Sequence, residues 1–277
     1  MRTVVLPSGE KVPQLGQGTW FMGERADRMK AEADSIRLGV DLGMTLIDTA
    51  EMYADGGAEV MLSEALRGIR DKVFLVSKVY PHNASFQGVR AAAERSLSRM
   101  NVEVIDLYLL HWRGGVPFEE TVRGFEALQK DGLIRHWGVS NLDTDDMEEL
   151  LDVEGGENCT VDQVLYNPTR RGPEFDLFPF LRENSIPVMA YSPIEQGRLP
   201  KTGALGDIAR KHGVGPFQIA LAWVMRDPNV IAIPKASNPD HVKANRAAAD
   251  LVLDAGDLAA IDRAFPPPTR KRHLEML

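Results

Sequence analysis

The sequence is poor in cysteine, in positive charge and in long apolar runs, and each shortage excludes a class of protein. Cys159 is the single cysteine, so the chain can form no intramolecular disulfide, thiolate zinc site or CxxC redox centre. Forty acidic residues against 32 basic ones give a formal net charge of -8, so no global positive field attracts a phosphate backbone. We therefore expect no nucleic-acid partner.

No apolar run approaches the roughly 20 residues that span a bilayer, and the first residues lack the apolar stretch of a secretory signal. We therefore expect a cytoplasmic protein without a membrane partner. Apolar residues make up 44% of the 277 residues and charged residues 26%, which is typical of a globular protein with a large core. This length fits either two ordinary domains or one α/β barrel.

Eight short runs of aliphatic and β-branched residues recur along the chain at fairly even spacing. They show little polar alternation, which indicates strands of a parallel sheet covered on both faces. The predicted strands are 15–20, 45–50, 73–78, 105–110, 134–140, 162–166, 187–192 and 230–235.

Stretches with helical spacing separate these runs, and boundary residues mark some of them. Pro117 precedes one such stretch, and Asp143 opens another whose first turn is acidic. Helices are predicted over 58–69, 86–100, 118–132, 144–153 and 256–265.

The alternation of strand and helix, without a linker-like stretch in the interior, predicts an α/β fold. The count matches a single (β/α)8 TIM barrel over residues 1–277. Two short apolar runs around residues 7–10 predict an N-terminal β-hairpin that closes the barrel floor. Residues from about 266 to 277 are predicted to form an irregular tail, whose basic residues 270–272 are exposed.

Polar residues follow several predicted strands at their carboxyl ends, where (β/α)8 barrels gather their functional groups. Asp48, Lys78 and His111 end three consecutive strands, so we expect them within a few ångströms of one another. Tyr53 follows Asp48 in a short loop and can reach over the same edge. One such residue alone is more often a cap or an ion-pair partner, but the set of four is harder to explain in that way.

The four residues form a chemically sensible proton-donating unit. A Tyr phenol with a pKa of about 10 is a poor acid at neutral pH, and a nearby ammonium favours the phenolate and lowers that pKa. We expect Lys78 to lower the pKa of Tyr53 in this way, while Asp48 holds Lys78 as a charged group. His111 would then orient and polarise a carbonyl oxygen.

Longer motifs around these residues resemble the aldo-keto reductase family, in its bacterial, short-loop form. They occur in family order and cover nearly the whole chain. The matching segments are GQGTW at 16–20, LIDTAEMY at 46–53, VFLVSKVY at 73–80, DLYLLHW at 106–112, GVSNL at 138–142, VLYNP at 164–168, YSPIEQG at 191–197 and IPKAS at 233–237. The resemblance implies a (β/α)8 barrel without a Rossmann domain, and hydride transfer from a reduced nicotinamide cofactor to an aldehyde or ketone. It implies catalytic roles for Asp48, Tyr53, Lys78 and His111, with Tyr53 as the proton donor.

The resemblance also implies where the cofactor binds. Ser140, Asn141 and Gln163 match residues that hydrogen-bond the nicotinamide carboxamide, and Tyr191 matches the aromatic residue that stacks on the ring. The segment 192–197 resembles the loop that covers the pyrophosphate. The implied cofactor-binding residues are Gly18, Thr19, Trp20, Ser140, Asn141, Gln163, Tyr191, Ser192, Pro193, Ile194, Gly197, Lys235, Ser237, Asn238, His241 and Asn245.

At the adenosine end, the resemblance implies that Lys235, Ser237 and Asn238 face the 2'-phosphate of NADPH. The chain departs from the family pattern where His241 replaces a common Arg and Ala244 replaces a common Glu. A His is charged only part of the time near neutral pH, so this change weakens the phosphate contact. NADPH remains the expected cofactor because Lys235 is retained, with NADH as an alternative.

An aromatic-walled pocket for the carbonyl substrate is expected from Trp20, Tyr80 and Trp112. The loops and the tail are short, which predicts an open mouth and modest selectivity for small or medium aldehydes. The histidines show no ligand spacing, so we expect no metal site.

Two other functions stay open from the sequence. Lys78 could instead be the amine of a Schiff-base lyase, because a buried Lys at a strand end also suits that chemistry. The barrel could also be a non-catalytic regulatory subunit that binds a nicotinamide cofactor. No apolar stripe argues for a strong interface, and we expect a monomer or a weak homodimer.

Overall fold

The computed structural model describes all 277 residues, and every predicted barrel strand is present. Two further short strands precede the barrel. The strands are β1 (Thr3–Val5), β2 (Lys11–Pro13), β3 (Gln17–Gly18), β4 (Leu46–Asp48), β5 (Phe74–Val79), β6 (Ile105–Leu110), β7 (Ile134–Ser140), β8 (Asp162–Leu165), β9 (Val188–Tyr191) and β10 (Val230–Ala232).

Strands β3 to β10 form one parallel sheet in which each strand pairs with its neighbour in the sequence. The sheet closes on itself, because the backbone N–H of Gly16 donates to the Ala232 carbonyl at 2.8 Å and that of Gly18 to the Pro234 carbonyl at 3.1 Å. A Cβ at Gly18 would lie 3.0 Å from the Ile233 carbonyl oxygen, so a residue without a side chain favours this close approach. The predicted (β/α)8 barrel is confirmed.

Helices follow every barrel strand, and the five predicted helices are present within a few residues of their expected bounds. The helices are α1 (Met29–Asp41), α2 (Gly57–Ala65), α3 (Phe86–Met100), α4 (Phe118–Lys130), α5 (Thr144–Asp152), α6 (Leu177–Glu183), α7 (Ala204–His212), α8 (Pro216–Val224), α9 (Pro239–Ala248) and α10 (Ala255–Ala264). None of them is both long enough and apolar enough to cross a membrane.

Side-chain caps explain where several helices begin. Asp143 accepts a hydrogen bond from the backbone N–H of Asp146 at 3.1 Å, as its predicted position at the start of α5 requires. Ser85 caps α3 in the same way through the N–H of Gly88 at 3.2 Å. Each cap satisfies a donor that the helix itself leaves free and contributes about 1 kcal/mol.

The hairpin of β1 and β2 packs against the inside of the barrel. Val4, Leu6 and Val12 belong to the same buried cluster as inward-facing strand residues such as Leu107 and Ile231. A separate cluster of 58 buried residues fills the layer between the strands and the helices. The hairpin therefore closes the barrel floor as predicted, and the other end of the barrel is left to form a site.

The last residues, 266–277, have no regular secondary structure, as expected. They are nevertheless attached to the barrel. Lys271 Nζ lies 2.6 Å from an Asp145 carboxylate oxygen, and Glu275 lies 2.6 Å from the guanidinium of Arg170. Leu274 packs against the main core cluster.

Candidate active site

Lys78, in the fully buried strand β5, is the centre of the predicted catalytic group. Its ammonium donates to Oδ2 of Asp48 at 2.8 Å, to the carbonyl of Thr49 at 2.8 Å and to Oη of Tyr53 at 3.2 Å. An ammonium has three donors, so these contacts use all of them. The structure therefore brings Asp48, Lys78 and Tyr53 together at the carboxyl ends of β4 and β5.

The second carboxylate oxygen of Asp48 links this group to the far side of the barrel. Oδ1 accepts from Nε2 of Gln163, on β8, at 2.8 Å. The backbone carbonyl of Asp48 accepts from the Thr19 hydroxyl at 3.0 Å. Both carboxylate oxygens of Asp48 therefore accept hydrogen bonds, and these bonds fix the orientation of the carboxylate toward Lys78.

The pKa of Tyr53 moves in the direction opposite to our expectation. Burial, followed by the negative charge of Asp48, raises the pKa of Tyr53 well above its usual value. The prediction that Lys78 lowers the pKa of Tyr53 is wrong for this structure, because burial and the negative charge of Asp48 both favour the protonated phenol. Burial also lowers the pKa of Lys78 from its usual value, although Asp48 opposes that effect. Tyr53 therefore keeps its proton at neutral pH. Because Lys78 donates to Oη, the phenolic proton is free to point toward another acceptor.

The backbone after Tyr53 is unusual. Ala54, Asp55 and Gly56 are three consecutive left-handed residues, with φ of 52°, 51° and 88°. The two residues with side chains store roughly 1–3 kcal/mol of strain each. This turn leads directly into α2 and fixes the position of Tyr53 over the end of the barrel.

His111 immediately follows β6, and its ring centroid lies 5.9 Å from that of Tyr53. Burial, with a smaller contribution from the positive charge of Lys78, lowers the pKa of His111 to about 2. The imidazole is therefore neutral and carries one N–H. Its Nδ1 is buried without a hydrogen-bond partner, which is rare in a folded protein and indicates a functional position.

A second set of predicted residues continues the hydrogen-bond network across the barrel mouth. The Tyr191 hydroxyl donates to Oδ1 of Asn141 at 3.0 Å, and Nδ2 of Asn141 donates to the Ser140 hydroxyl at 3.0 Å. Ser140 in turn donates to the backbone carbonyl of Gln163 at 2.8 Å. The amides that the resemblance implies for the nicotinamide carboxamide are therefore held together next to Asp48.

Two cavities open at this end of the barrel, and the larger one has a volume of about 580 Å³. Most of the residues implied to bind the cofactor line it. They are Gly18, Thr19, Trp20, Tyr191, Ser192, Pro193, Ile194, Gly197, Lys235, His241 and Asn245. Asp48 and Tyr53 belong to the same wall.

The smaller cavity, of about 190 Å³, lies over His111. Its predicted wall residues are Trp20, Tyr53, His111, Trp112, Ser140, Asn141, Gln163 and Tyr191. Trp20, Tyr53 and Tyr191 line both cavities, so the two meet at these three rings.

The prediction of an open mouth is corrected by the position of the last residues of the chain. Met276 and Leu277 line the smaller cavity together with Tyr53 and His111. The tail is therefore not a free exposed segment, and Lys271 within its basic cluster is held by Asp145. This path depends on Asp145 and Arg170, which lie on different parts of the barrel surface, and the sequence of the tail contains no pattern that reveals them.

Besides the buried Lys78, three predicted residues lie outside the cavity walls. Ser237 accepts from the Lys235 ammonium at 3.4 Å, and Asn238 caps α9 through the N–H of Asp240 at 2.8 Å. Tyr80 stacks on His82 at 4.7 Å and meets the edge of Trp112 at 5.7 Å. Tyr80 therefore supports an aromatic wall residue and is not itself part of the wall.

Some residues that line the larger cavity were not predicted from the sequence. Phe217 and Gln218, at the start of α8, line it together with Phe21 and Gln196. Gly215 caps α8 and Pro216 is its first residue, but nothing in this pair indicates that the helix reaches the site. Phe21 has a φ of 64°, an unusual backbone for a bulky residue, and such strain is visible only in three dimensions.

The far end of the larger cavity carries basic side chains. Lys235 is half-buried there, and burial lowers its pKa although Glu32 and Glu24 oppose that effect. His241 lies on the same wall. Tyr191 lines both cavities, and the amides of Asn141 and Gln163 line the smaller one beside it. With Lys235 and His241 in the wall of the larger cavity, the two cavities together fit an extended polar molecule with an anionic terminus, such as a nicotinamide adenine dinucleotide phosphate. The structure contains no cluster of three or more His, Cys, Asp or Glu side chains suited to a metal ion.

Comparison with known proteins agrees with this geometry. The model of the aldo/keto reductase family matches residues 14–265. Methylglyoxal reductase YeaE of Escherichia coli (strain K12) is 51% identical over 271 residues, covering 96% of this chain and 95% of that protein. Glyoxal reductase of Bacillus subtilis (strain 168) is 32% identical, covering 94% of this chain and 91% of that protein.

Solved structures give the same result. An aldo/keto reductase from Klebsiella pneumoniae in complex with NADP and acetate is 48% identical, with a TM-score of 0.97 over 100% of this chain and 99% of that chain. A structure of an aldo-keto reductase from the same organism in complex with NADPH matches equally well, with 48% identity and a TM-score of 0.97 over the same shares of the two chains. The chain therefore belongs to the aldo/keto reductase family.

Proposed function

We propose that this chain reduces small aldehydes and ketones to alcohols, with NADPH as the hydride donor and Tyr53 as the proton donor. The observation that carries the proposal is the position of Tyr53. Its hydroxyl accepts from Lys78 at 3.2 Å, and its ring belongs to the walls of both cavities. A group at the junction of the two cavities can reach a carbonyl oxygen while a cofactor fills the larger one.

NADPH, when bound, supplies the hydride that goes to the carbonyl carbon. The proton of Tyr53 goes to the carbonyl oxygen, which leaves a phenolate next to the Lys78 ammonium. That contact stabilises the negative charge as it develops, and Asp48 keeps Lys78 charged in its buried setting. Proton transfer from a positioned group of this kind contributes about 10²–10⁴-fold to a rate.

His111 acts on the same oxygen. Its pKa of about 2 keeps the imidazole neutral, so it donates a hydrogen bond without adding a full positive charge beside Lys78. A neutral donor orients the carbonyl without competing with Tyr53 as the proton source.

The choice of NADPH rests on the larger cavity and on the similar proteins. Two structures with TM-scores of 0.97 are complexes with NADP or NADPH. In this chain, Ser140, Asn141 and Gln163 would hold the carboxamide and Tyr191 would stack on the ring, whereas Lys235 and His241 would face the 2'-phosphate.

The choice of a small substrate rests on the smaller cavity. Its volume of about 190 Å³ and its aromatic and apolar walls suit a molecule of a few carbon atoms. The relatives named methylglyoxal reductase and glyoxal reductase act on compounds of that size. We therefore propose short α-oxoaldehydes as substrates.

The geometry disfavours a Schiff-base lyase. Lys78 is fully buried, borders neither cavity and already uses its three N–H donors. An amine nucleophile needs a free lone pair and access to the carbonyl carbon, and Lys78 has neither in this arrangement.

The test measures oxidation of NADPH by the purified protein with methylglyoxal, for the wild type and for Tyr53→Phe. We expect turnover by the wild type and a loss of at least about 10²-fold in kcat for the variant, with NADPH affinity unchanged. Tyr80→Phe is the matched control, because it removes the same hydroxyl from a residue outside both cavity walls, and it should keep its turnover.

Three outcomes contradict the proposal. Undiminished turnover by Tyr53→Phe removes Tyr53 as the proton donor. NADPH binding without turnover of any aldehyde favours the regulatory subunit. A substrate-dependent adduct on Lys78 after borohydride treatment favours the lyase.

A further inference from the structure

Arg170, in the loop after β8, lies between two glutamates from distant parts of the chain. Its Nη2 is 3.0 Å from Oε1 of Glu195, and its Nη1 is 2.6 Å from Oε1 of Glu275. One guanidinium thus connects the loop 192–197 to the C-terminal tail. The two segments share no secondary structure, so this connection is not a by-product of a strand or helix.

The loop end of the connection, Glu195, lies between residues that line the larger cavity, Ile194 on one side and Gln196 on the other. Glu195 is buried and accepts a further hydrogen bond from Nδ2 of Asn167 at 2.7 Å. Burial opposes its ionisation, but the hydrogen bonds from Arg170 and Asn167 prevail and lower the pKa of Glu195 below its usual value. Ser192, Glu195 and Gln196 have φ of 46°, 49° and 55°. Three non-glycine residues of this loop therefore have a left-handed backbone conformation, which is strained, and contacts such as those of Glu195 hold the loop in that shape.

The tail end of the connection belongs to the wall of the smaller cavity. Glu275 directly precedes Met276 and Leu277, which line that cavity beside Tyr53 and His111. Met276 and Leu277 are about half exposed, so packing alone holds them weakly. The other contacts that hold the tail are the ion pair of Lys271 with Asp145 and the packing of Leu274 against the main core cluster.

We propose that Arg170 is a positioning residue that holds the C-terminal tail over the carbonyl cavity, and that this contact limits the size of the carbonyl substrate. The inference rests on the proposed function and deepens it. With Glu275 held, Met276 and Leu277 restrict the cavity to short α-oxoaldehydes. With Glu275 released, the two residues move into solvent, and aryl or long-chain aldehydes reach Tyr53.

Arg170 also links this limit to the cofactor loop. The same guanidinium holds Glu195 and Glu275, so the loop over the larger cavity and the tail over the smaller one share one support. Loss of Glu275 should affect only substrate size. Loss of Arg170 should affect both substrate size and cofactor affinity, because loop 192–197 then also loses a partner.

The experiment compares methylglyoxal with phenylglyoxal, which have the same reactive group and differ in bulk. The measured quantity is the ratio of kcat/KM for phenylglyoxal to that for methylglyoxal, with NADPH saturating. We expect this ratio to rise by up to about fivefold in Glu275→Ala and in Arg170→Gln, in line with the loss of a partly exposed ion pair. We also expect the Kd of NADPH to rise in Arg170→Gln and to stay constant in Glu275→Ala.

Two controls separate this effect from general damage. Glu157→Ala removes a surface glutamate without an ion pair at the other end of the barrel, and should leave the ratio unchanged. A chain lacking residues 274–277 gives the largest ratio that loss of the tail can produce. A gain of activity toward the bulky substrate is a result that mere destabilisation of the fold does not produce.

An unchanged ratio in both Glu275→Ala and Arg170→Gln, with normal methylglyoxal turnover, overturns the inference. A raised ratio in the shortened chain alone also overturns the role of Arg170, because the tail then limits substrate size without it. Failure of the wild type to reduce either compound is a different result, and it overturns the proposed function on which the inference rests.

Discussion

The two ends of the barrel both contain buried charges, but they use them differently. At the floor, Asp106 accepts from Arg70 at 2.7 Å and from Arg135 at 2.9 Å, and Glu10 accepts from Arg135 and His136 at 2.8 Å. We call these five residues the floor cluster. Each carboxylate in the floor cluster accepts a hydrogen bond from an Arg or His side chain, and each of those side chains donates to a carboxylate.

At the mouth, two polar groups have no hydrogen-bond partner for one of their atoms. Lys78 is fully buried with one carboxylate, the Tyr53 proton has no acceptor among the contacts of that group, and Nδ1 of His111 has no partner. The charged groups are satisfied at both ends, and the difference lies in the neutral rings of Tyr53 and His111, which keep hydrogen-bonding capacity for a bound molecule at the mouth. The following predictions test this difference, beginning with the largest expected effect.

The largest effect is expected from the double variant Asp48→Asn with Lys78→Met. Turnover of methylglyoxal should fall by about 10³-fold or more, because the phenolate of Tyr53 loses its cation. The free energy of unfolding should stay constant or rise by about 1 kcal/mol, because a buried ion pair costs desolvation energy. Urea unfolding and steady-state kinetics check the two parts. A strongly destabilised double variant would mean that the mouth pair is kept for stability.

At the floor, we expect a substitution to lower the free energy of unfolding without lowering turnover. Asp106→Asn removes charge from a carboxylate that also accepts from the N–H of Leu75 at 2.7 Å, and should lower the free energy of unfolding by about 2 kcal/mol. Turnover at 25 °C should not change. Asp34→Asn is the control, because the Lys30–Asp34 pair is exposed and its loss should leave the urea midpoint unchanged. A loss of turnover in Asp106→Asn at full folding contradicts the separation of roles.

The lowered pKa of His111 should make the stability of the fold depend on pH. Its pKa is about 2 in the folded state against about 6.5 in an unfolded chain, so only the unfolded state binds its proton between these values. Stability is therefore lost as the pH falls below about 6.5, by up to about 1.4 kcal/mol per pH unit. Urea unfolding at pH 6.5 and 5.5 should show a steeper loss in the wild type than in His111→Gln. Equal slopes would show that His111 titrates normally.

The smallest effect is expected at the far end of the larger cavity, where His241 faces solvent-accessible space. His241→Arg supplies a permanent charge and should raise the preference for NADPH over NADH by about fivefold in kcat/KM. Lys243→Arg, on the same helix α9 but outside the cavity wall, is the matched control and should leave the preference unchanged. An unchanged preference in His241→Arg would mean that the 2'-phosphate does not reach this residue.

Much of the fold and of the site could be predicted from local patterns. The eight apolar runs predicted the barrel because a strand covered on both faces has little choice of composition. Asp48, Lys78 and His111 could be grouped because parallel strands place their carboxyl ends at one edge. The long motifs around them added the family, which the comparisons confirm.

Other features depend on contacts between distant segments. The direction of the pKa shift of Tyr53 reflects the burial of Tyr53 itself and then the charge of Asp48, and burial is a property of the folded chain. Phe217 reaches the larger cavity only because α8 packs beside it. Arg170 meets a glutamate 25 residues away and another 105 residues away, and no local pattern encodes such a meeting.

The barrel, its hairpin floor and the residue types at its mouth therefore follow from local patterns, namely the periodicity of the chain and the fixed direction of parallel strands. Three features come instead from the tertiary structure: the tail lines the smaller cavity, Tyr80 stands outside its wall, and the pKa of Tyr53 is raised. Each of these depends on which surfaces exclude water from one another, and that exclusion arises only when all eight strands and their loops pack together.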